Sequence, residues 1–66
     1  MQIKVNGEPY EFEAPLSLLL LAERLQLNPL QVAVEHNRAI VPRSTYGETA
    51  LSDGDEIEIV QFIGGG

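Results

Sequence analysis

The sequence has 66 residues, no cysteine and a formal net charge of −6, from ten acidic and four basic residues. This length predicts one small domain, in which a core leaves no room for a deep substrate pocket, so a self-contained enzyme is not expected. The negative charge disfavours binding to nucleic acid or to an anionic membrane, and the lack of cysteine excludes disulfides and thiolate metal sites.

The first predicted element is a β-hairpin. Residues 2–5 alternate polar and apolar side chains, as a half-buried strand does, and Asn6-Gly7 follows. This dipeptide favours a type I′ turn, which needs positive φ at both central positions. Residues 10–13 alternate again and form the second predicted strand, with Pro9 at its start. The inner face of the hairpin is expected to carry Ile3, Val5, Tyr10 and Phe12.

A helix is predicted over residues 18–27. Pro15 ends the preceding strand, and Ser17 is a typical N-cap. Asn28 and Pro29 are expected to end the helix, because Asn accepts a left-handed conformation and Pro cannot continue the helix. The apolar stripe that this spacing turns towards the core comprises Leu18, Leu21, Ala22 and Leu25.

The second half of the chain predicts three more strands. Residues 32–35 and 39–41 are expected to pair across a turn, and residues 44–47 have no clear period, although a single helical turn is possible there. Turn residues then precede a last strand over residues 56–62.

This element order predicts an α+β fold with the ubiquitin-like β-grasp arrangement. One main helix would pack on one face of a mixed four- to five-stranded sheet, and the last strand would lie parallel to the first in its middle. Residues 1–62 are expected to form the domain, and residues 63–66 a flexible C-terminal glycine tail.

The alternation of the last strand leads to an apolar docking surface. Ile57 and Ile59 share one face, so a continued two-residue period places Gln61 with them and turns Val60 and Phe62 to the opposite face. The alternative is a β-bulge near Val60 that turns Phe62 inward. If the period continues, the apolar side chains form an exposed patch that a partner can bind. The predicted docking residues are Val60, Phe62 and Ile63.

The sequence ends with Gly64, Gly65 and Gly66. Glycine has no side chain to pack, so we expect this tail to project from the domain and to carry an ionised α-carboxylate. Such a tail fits a narrow channel in another protein, where the carboxylate can act as a nucleophile. The alternative is a frayed end without function.

Other candidate chemistry is weak. His36 is the sole histidine and is expected in a solvated turn, so no metal site is predicted. It has no reason to meet a serine and an aspartate as a catalytic triad. We expect Arg43 to form an ion pair, although contact with an acidic loop of a partner remains an alternative.

The expected location is the cytoplasm. No signal peptide is predicted, because polar residues follow Lys4, and the apolar run over residues 18–21 is too short to span a bilayer. The lack of cysteine fits a reducing compartment. The acidity fits either a partner with a basic docking face or a role in solubility alone.

Several segments together resemble the ThiS family of sulfur-carrier proteins of thiamin biosynthesis, over essentially the whole length of the chain. The Val-Pro-Arg segment and the short length distinguish the sequence from the small subunit of molybdopterin synthase. The matching segments are Asn6-Gly7, the leucine-rich helix, Val32-Ala33-Val34-Glu35, Ile40-Val41-Pro42-Arg43, Asp53-Gly54-Asp55-Glu56-Ile57 and the glycine end.

The resemblance implies a carrier rather than an enzyme. A ThiF-like adenylating enzyme would use ATP to activate Gly66, so the carrier itself needs no cofactor. A sulfur donor such as a cysteine desulfurase relay would convert the adenylate to a thiocarboxylate, and a ThiG-like thiazole synthase would receive the sulfur. The alternatives are a sulfur carrier for molybdopterin or another metabolite, and a ubiquitin-like binding module without chemistry at its end.

Overall fold

Five strands form one mixed sheet in the order β2-β1-β5-β3-β4 in the computed structural model, which describes residues 1–62. β5 lies parallel to β1 and antiparallel to β3, and one α-helix covers one face. The predicted α+β, ubiquitin-like β-grasp arrangement is therefore confirmed. The elements are β1 (Gln2–Val5), β2 (Glu8–Glu11), α1 (Leu18–Arg24), a 3-10 helix (Pro29–Gln31), β3 (Val32–His36), β4 (Ala39–Ile40), a second 3-10 helix (Arg43–Glu48) and β5 (Glu56–Gln61).

The predicted hairpin forms, but its second strand begins earlier than expected. Asn6 and Gly7 have φ of 51° and 84°, as the type I′ turn requires. This two-residue turn pairs Val5 directly with Glu8, so β2 contains Pro9 instead of beginning after it. Proline is tolerated there because β2 is an edge strand, whose outer side needs no backbone donor.

The helix begins as predicted and ends earlier. The Ser17 hydroxyl accepts a hydrogen bond from the Leu20 N–H at 3.1 Å, but α1 stops at Arg24 rather than at residue 27. Gln26, with φ of 61°, takes the left-handed conformation expected at Asn28. The N–H of Leu27 then donates to the Ala22 carbonyl at 2.9 Å, which completes a Schellman ending.

The core lies between α1 and the inner face of the sheet. The strand alternation and the helical stripe in the sequence predict the burial of most core residues, but they do not predict the burial of Leu16, Tyr46 and Leu51. The Tyr46 hydroxyl donates to the Val32 carbonyl at 3.1 Å, a backbone group that the two-residue β4 is too short to pair. The core comprises Ile3, Val5, Leu16, Leu18, Leu21, Val32, Val34, Tyr46, Leu51 and Ile57.

A polar cluster fixes the point where β5 begins. His36 is half-buried at the end of β3, contrary to the expected solvated turn, and its Nε2 lies 2.7 Å from Oδ2 of Asp55. The Asn37 side chain donates to Oδ1 of Asp55 at 3.1 Å, and its own oxygen accepts the Glu56 N–H at 2.8 Å. The Ser52 N–H also donates to the Asp55 carboxylate, at 2.8 Å. The carboxylate therefore links the end of β3 to the loop that leads into β5.

Two opposing effects act on the pKa of Asp55. Burial raises this pKa because it disfavours the charged form, whereas hydrogen bonds from His36, the Ser52 N–H and Asn37 lower it. The hydrogen bonds prevail, so the pKa of Asp55 lies below its ordinary value.

This shift predicts how Asp55 contributes to stability in acid. Because the pKa is lower in the folded chain, ionised Asp55 stabilises the fold above the unfolded pKa of about 3.9, and the contribution is lost as the pH falls through the folded value. The substitution Asp55→Asn should lower the free energy of unfolding near neutral pH, and by progressively less below about pH 4. Urea unfolding of both proteins across a pH series measures this difference; a difference constant down to the acid limit would contradict the assignment.

Candidate functional site

The last strand keeps its two-residue alternation to its end. The pairs between β3 and β5 run without interruption from His36↔Ile57 to Val32↔Gln61, so no bulge intervenes. Val60 is 61% exposed and Phe62 is 51% exposed. The predicted exposure of Val60 and Phe62 on the face opposite Ile57 is confirmed, and the alternative of a bulge that turns Phe62 inward is wrong.

The register extends this apolar surface onto two further strands. Val60 lies opposite Ala33, and Glu35 lies opposite Ile40, whose side chain is 81% exposed. These residues alternate with the buried ones, so they share the face of the sheet that α1 leaves uncovered. We name Ala33, Ile40, Val60 and Phe62 the open-face patch.

Carboxylates border the open-face patch. Glu35 and Glu58 are directly opposite each other, and Glu56 follows on the same face of β5, beside Lys4 of β1. An exposed apolar surface bordered by like charges complements a partner surface with an apolar centre and basic side chains at its edge.

Asn6 holds the end of β5. Its backbone N–H donates to the Ile57 carbonyl at 2.8 Å, which is the last backbone bond between β1 and β5. Its side-chain oxygen then accepts the Ile59 N–H at 2.7 Å, and its amide donates to the Ile59 carbonyl at 3.2 Å. The sequence predicts Asn6 only as a turn residue, because a contact over 53 residues leaves no local pattern.

The other predicted site residues have different outcomes. Ile63, Gly64, Gly65 and Gly66 lie outside the described residues. Arg43 is exposed and forms no ion pair with any carboxylate among residues 1–62, so the expected ion pair is not observed there.

The described residues hold neither a metal-binding cluster nor a membrane-spanning helix. No group of three or more His, Asp or Glu side chains in this part of the chain is arranged to hold a metal ion. In the same part of the chain, no helix combines the length and hydropathy that crossing a bilayer requires.

Comparison with known proteins relates the whole chain to one family. The ThiS family model matches residues 3–66. A thiazole synthase of Magnetococcus marinus is 50% identical over 66 residues, which are 100% of this chain and 20% of that protein. The sulfur carrier protein ThiS of Bacillus subtilis is 38% identical, over 97% of this chain and 98% of that protein. The crystal structure of the thiamine biosynthesis protein (ThiS) from Geobacter metallireducens is 32% identical, with a TM-score of 0.84 and 100% of both chains covered.

Truncation of the open-face patch should leave the fold intact. We expect Phe62→Ala and Val60→Ala each to lower the free energy of unfolding by less than about 1 kcal/mol, because both side chains are largely in water. The matched control Ile57→Val removes one methyl group at a 1% exposed position and should cost about 0.5–1.5 kcal/mol. Chemical denaturation measures all three; a loss of several kcal/mol for Phe62→Ala would place Phe62 in the core.

Proposed function

The chain belongs to the ThiS family, and we propose on this premise that it is the sulfur carrier for thiazole formation in thiamin biosynthesis, acting through a thiocarboxylate on Gly66. The observation that carries the proposal is the match of the family over nearly the whole chain, together with the shared fold. The chain spans only a fifth of the thiazole synthase relative, so that protein's own activity is not assigned to it.

The first chemical step activates the Gly66 carboxylate. A carboxylate oxygen attacks the α-phosphorus of ATP in a ThiF-like adenylating enzyme, which forms an acyl adenylate and releases pyrophosphate. The terminal sulfur of a cysteine persulfide, supplied by a cysteine desulfurase relay, then attacks the acyl carbon and displaces AMP. Attack by a thiol on the resulting acyl disulfide releases the thiocarboxylate and leaves a disulfide.

The chain itself contributes the carried group and the surface that presents it. Glycines at positions 64, 65 and 66 place no side chain beside the reacting carbonyl, which suits a tail that must enter two different active sites. ATP and its contacts belong to the adenylating enzyme in this proposal, so the carrier holds no cofactor and is not itself an enzyme. Because activation consumes ATP, we place the carrier in the cytoplasm.

Thiazole synthase is the proposed recipient of the sulfur. Relatives named thiazole synthase contain a region similar to this entire chain in the same polypeptide, which supports a working partnership between the two. The adenylating enzyme is proposed to bind the open-face patch, whose carboxylate border favours a basic partner surface.

The tail chemistry has a direct test. Incubation with ATP, the adenylating enzyme, a cysteine desulfurase and cysteine should replace one oxygen of the protein by sulfur, and fragmentation should locate the change at Gly66. A variant that lacks Gly66 and a chain blocked as a C-terminal amide are the controls, and neither should form the thiocarboxylate that supports thiazole formation. Thiazole formation by the amide-blocked chain would contradict the proposal.

The docking role of the open-face patch predicts a kinetic effect. The substitution Phe62→Ala should raise the KM of the adenylating enzyme for the carrier roughly tenfold and change kcat little, because it removes binding that is equal in the ground and transition states. The control Leu20→Ala truncates a 39% exposed leucine on α1, away from the patch, and should leave KM unchanged. Equal KM values for Phe62→Ala and the wild type would exclude Phe62 from the docking surface.

A further inference from the structure

A second recognition feature lies on the helix side of the sheet, opposite the open-face patch. It is an open groove of about 400 Å³ between the end of α1, the first hairpin and the end of β5. Its lining combines apolar and aromatic side chains with one carboxylate, that of Glu8, and two side-chain amides, those of Asn6 and Gln61. Among the lining residues are Tyr10, Leu25, Leu27, Ile59, Glu8 and Gln61.

The groove exists because β5 continues after β1 has ended. β1 ends at Val5 and turns away at Asn6-Gly7, whereas β5 extends to Gln61. The Asn6 side chain occupies the place of a missing strand at Ile59, where it binds both backbone groups. Beyond Ile59 the hairpin supplies no further hydrogen-bond partner for the backbone on this side of β5.

Gln61 therefore has an unpaired backbone edge in the described part of the chain. The Glu56 carbonyl accepts the Asn37 N–H, and the Phe62 N–H donates to the Gln31 carbonyl, so both groups face the β3 side. Because an antiparallel ladder alternates, Ile57, Ile59 and Gln61 direct their N–H and C=O groups to the opposite side. Asn6 binds the carbonyl of Ile57 and both backbone groups of Ile59. No residue among 1–62 binds those of Gln61, which lie at the groove.

The walls of the groove are held by the fold. The Schellman ending of α1 brings Leu27 back towards the core, beside Leu25. The Tyr10 ring stacks on Phe12 with a centroid distance of 6.2 Å, which fixes the opposite wall. A preformed groove with such walls binds a side chain at little cost in ordering its own residues.

We propose that this groove and the edge at Gln61 bind an extended segment of thiazole synthase. The segment adds alongside β5, exchanges backbone hydrogen bonds with Gln61, places an apolar side chain against Leu25, Leu27 and Ile59, and turns a lysine or arginine towards Glu8. This inference rests on the proposed function, since it names the surface by which the sulfur recipient recognises the carrier.

The choice of thiazole synthase follows from the two faces of the sheet. The open-face patch is assigned to the adenylating enzyme, and the groove lies on the opposite face, so the two successive partners contact different residues. Glu8 is the only charged residue that lines the groove in the described chain, so its complement is a cation. Similarity of the entire chain to a region within thiazole synthase relatives adds that the two proteins work in close contact.

Two matched pairs of variants test the proposal with the full 66-residue chain. Glu8→Lys should weaken binding to purified thiazole synthase roughly three- to tenfold, whereas Glu13→Lys, the same charge reversal at an exposed residue outside the groove, should not. Gln61→Pro removes the N–H at the groove and should weaken binding about tenfold, whereas Gln61→Ala keeps this N–H and much of the affinity. Val60, which precedes the new proline, already has the extended conformation that this position requires.

The readouts are the Kd for thiazole synthase by calorimetry and the rate of thiocarboxylate formation by the adenylating enzyme. For Glu8→Lys and Gln61→Pro we expect the Kd for thiazole synthase to rise and the rate of thiocarboxylate formation to stay at the wild-type value. Unchanged affinity for thiazole synthase would overturn the proposal, while thiocarboxylate on Gly66 would leave the proposed function standing. A slower thiocarboxylate formation with unchanged affinity would assign the groove to the adenylating enzyme and also overturn it. Amide proton spectra confirm that each variant keeps the β3–β5 pairing.

Discussion

The position of β5 between β1 and β3 is the constraint on which the rest of the structure depends. The strand pairs with β3 from Ile57 to Gln61 but with β1 only at Glu56 and Ile57. An asparagine from a hairpin turn binds its backbone near each end. Asn37 accepts the Glu56 N–H where the strand begins, and Asn6 binds both backbone groups of Ile59 near its end. The point from which residues 63–66 continue is therefore fixed by two turns that are distant in sequence.

The two faces of β5 lie in different environments. Ile57 is buried beneath α1, whereas Val60 lies on the open face among carboxylates. The uninterrupted alternation produces this difference, since it turns Ile57 towards the core and Val60 towards the opposite, exposed face. The exposed residues that we propose for docking and the buried core residues thus share one rigid element, so the core already holds the open face in place.

Local patterns in the sequence were sufficient for the elements that depend on neighbours in the chain. Asn6-Gly7 predicted the turn, Ser17 the start of the helix, and the alternation in β5 the exposure of Val60. The end of α1, the burial of Tyr46 and the pairing of His36 with Asp55 could not be predicted, because each depends on a partner brought close by the fold. Ile40 was missed for a related reason: a two-residue strand has no period, and only its register with Glu35 decides its face.

Asn6 has two independent tasks, and they narrow the residues that suit this position. Its backbone has φ of 51°, which glycine, asparagine and aspartate tolerate, and its side chain must both accept and donate a hydrogen bond at Ile59. Glycine satisfies the first task alone, and aspartate would set an oxygen against the Ile59 carbonyl. A protein engineer who optimised this hairpin by turn statistics alone would therefore choose freely among three residues, of which two loosen a strand at the other end of the chain.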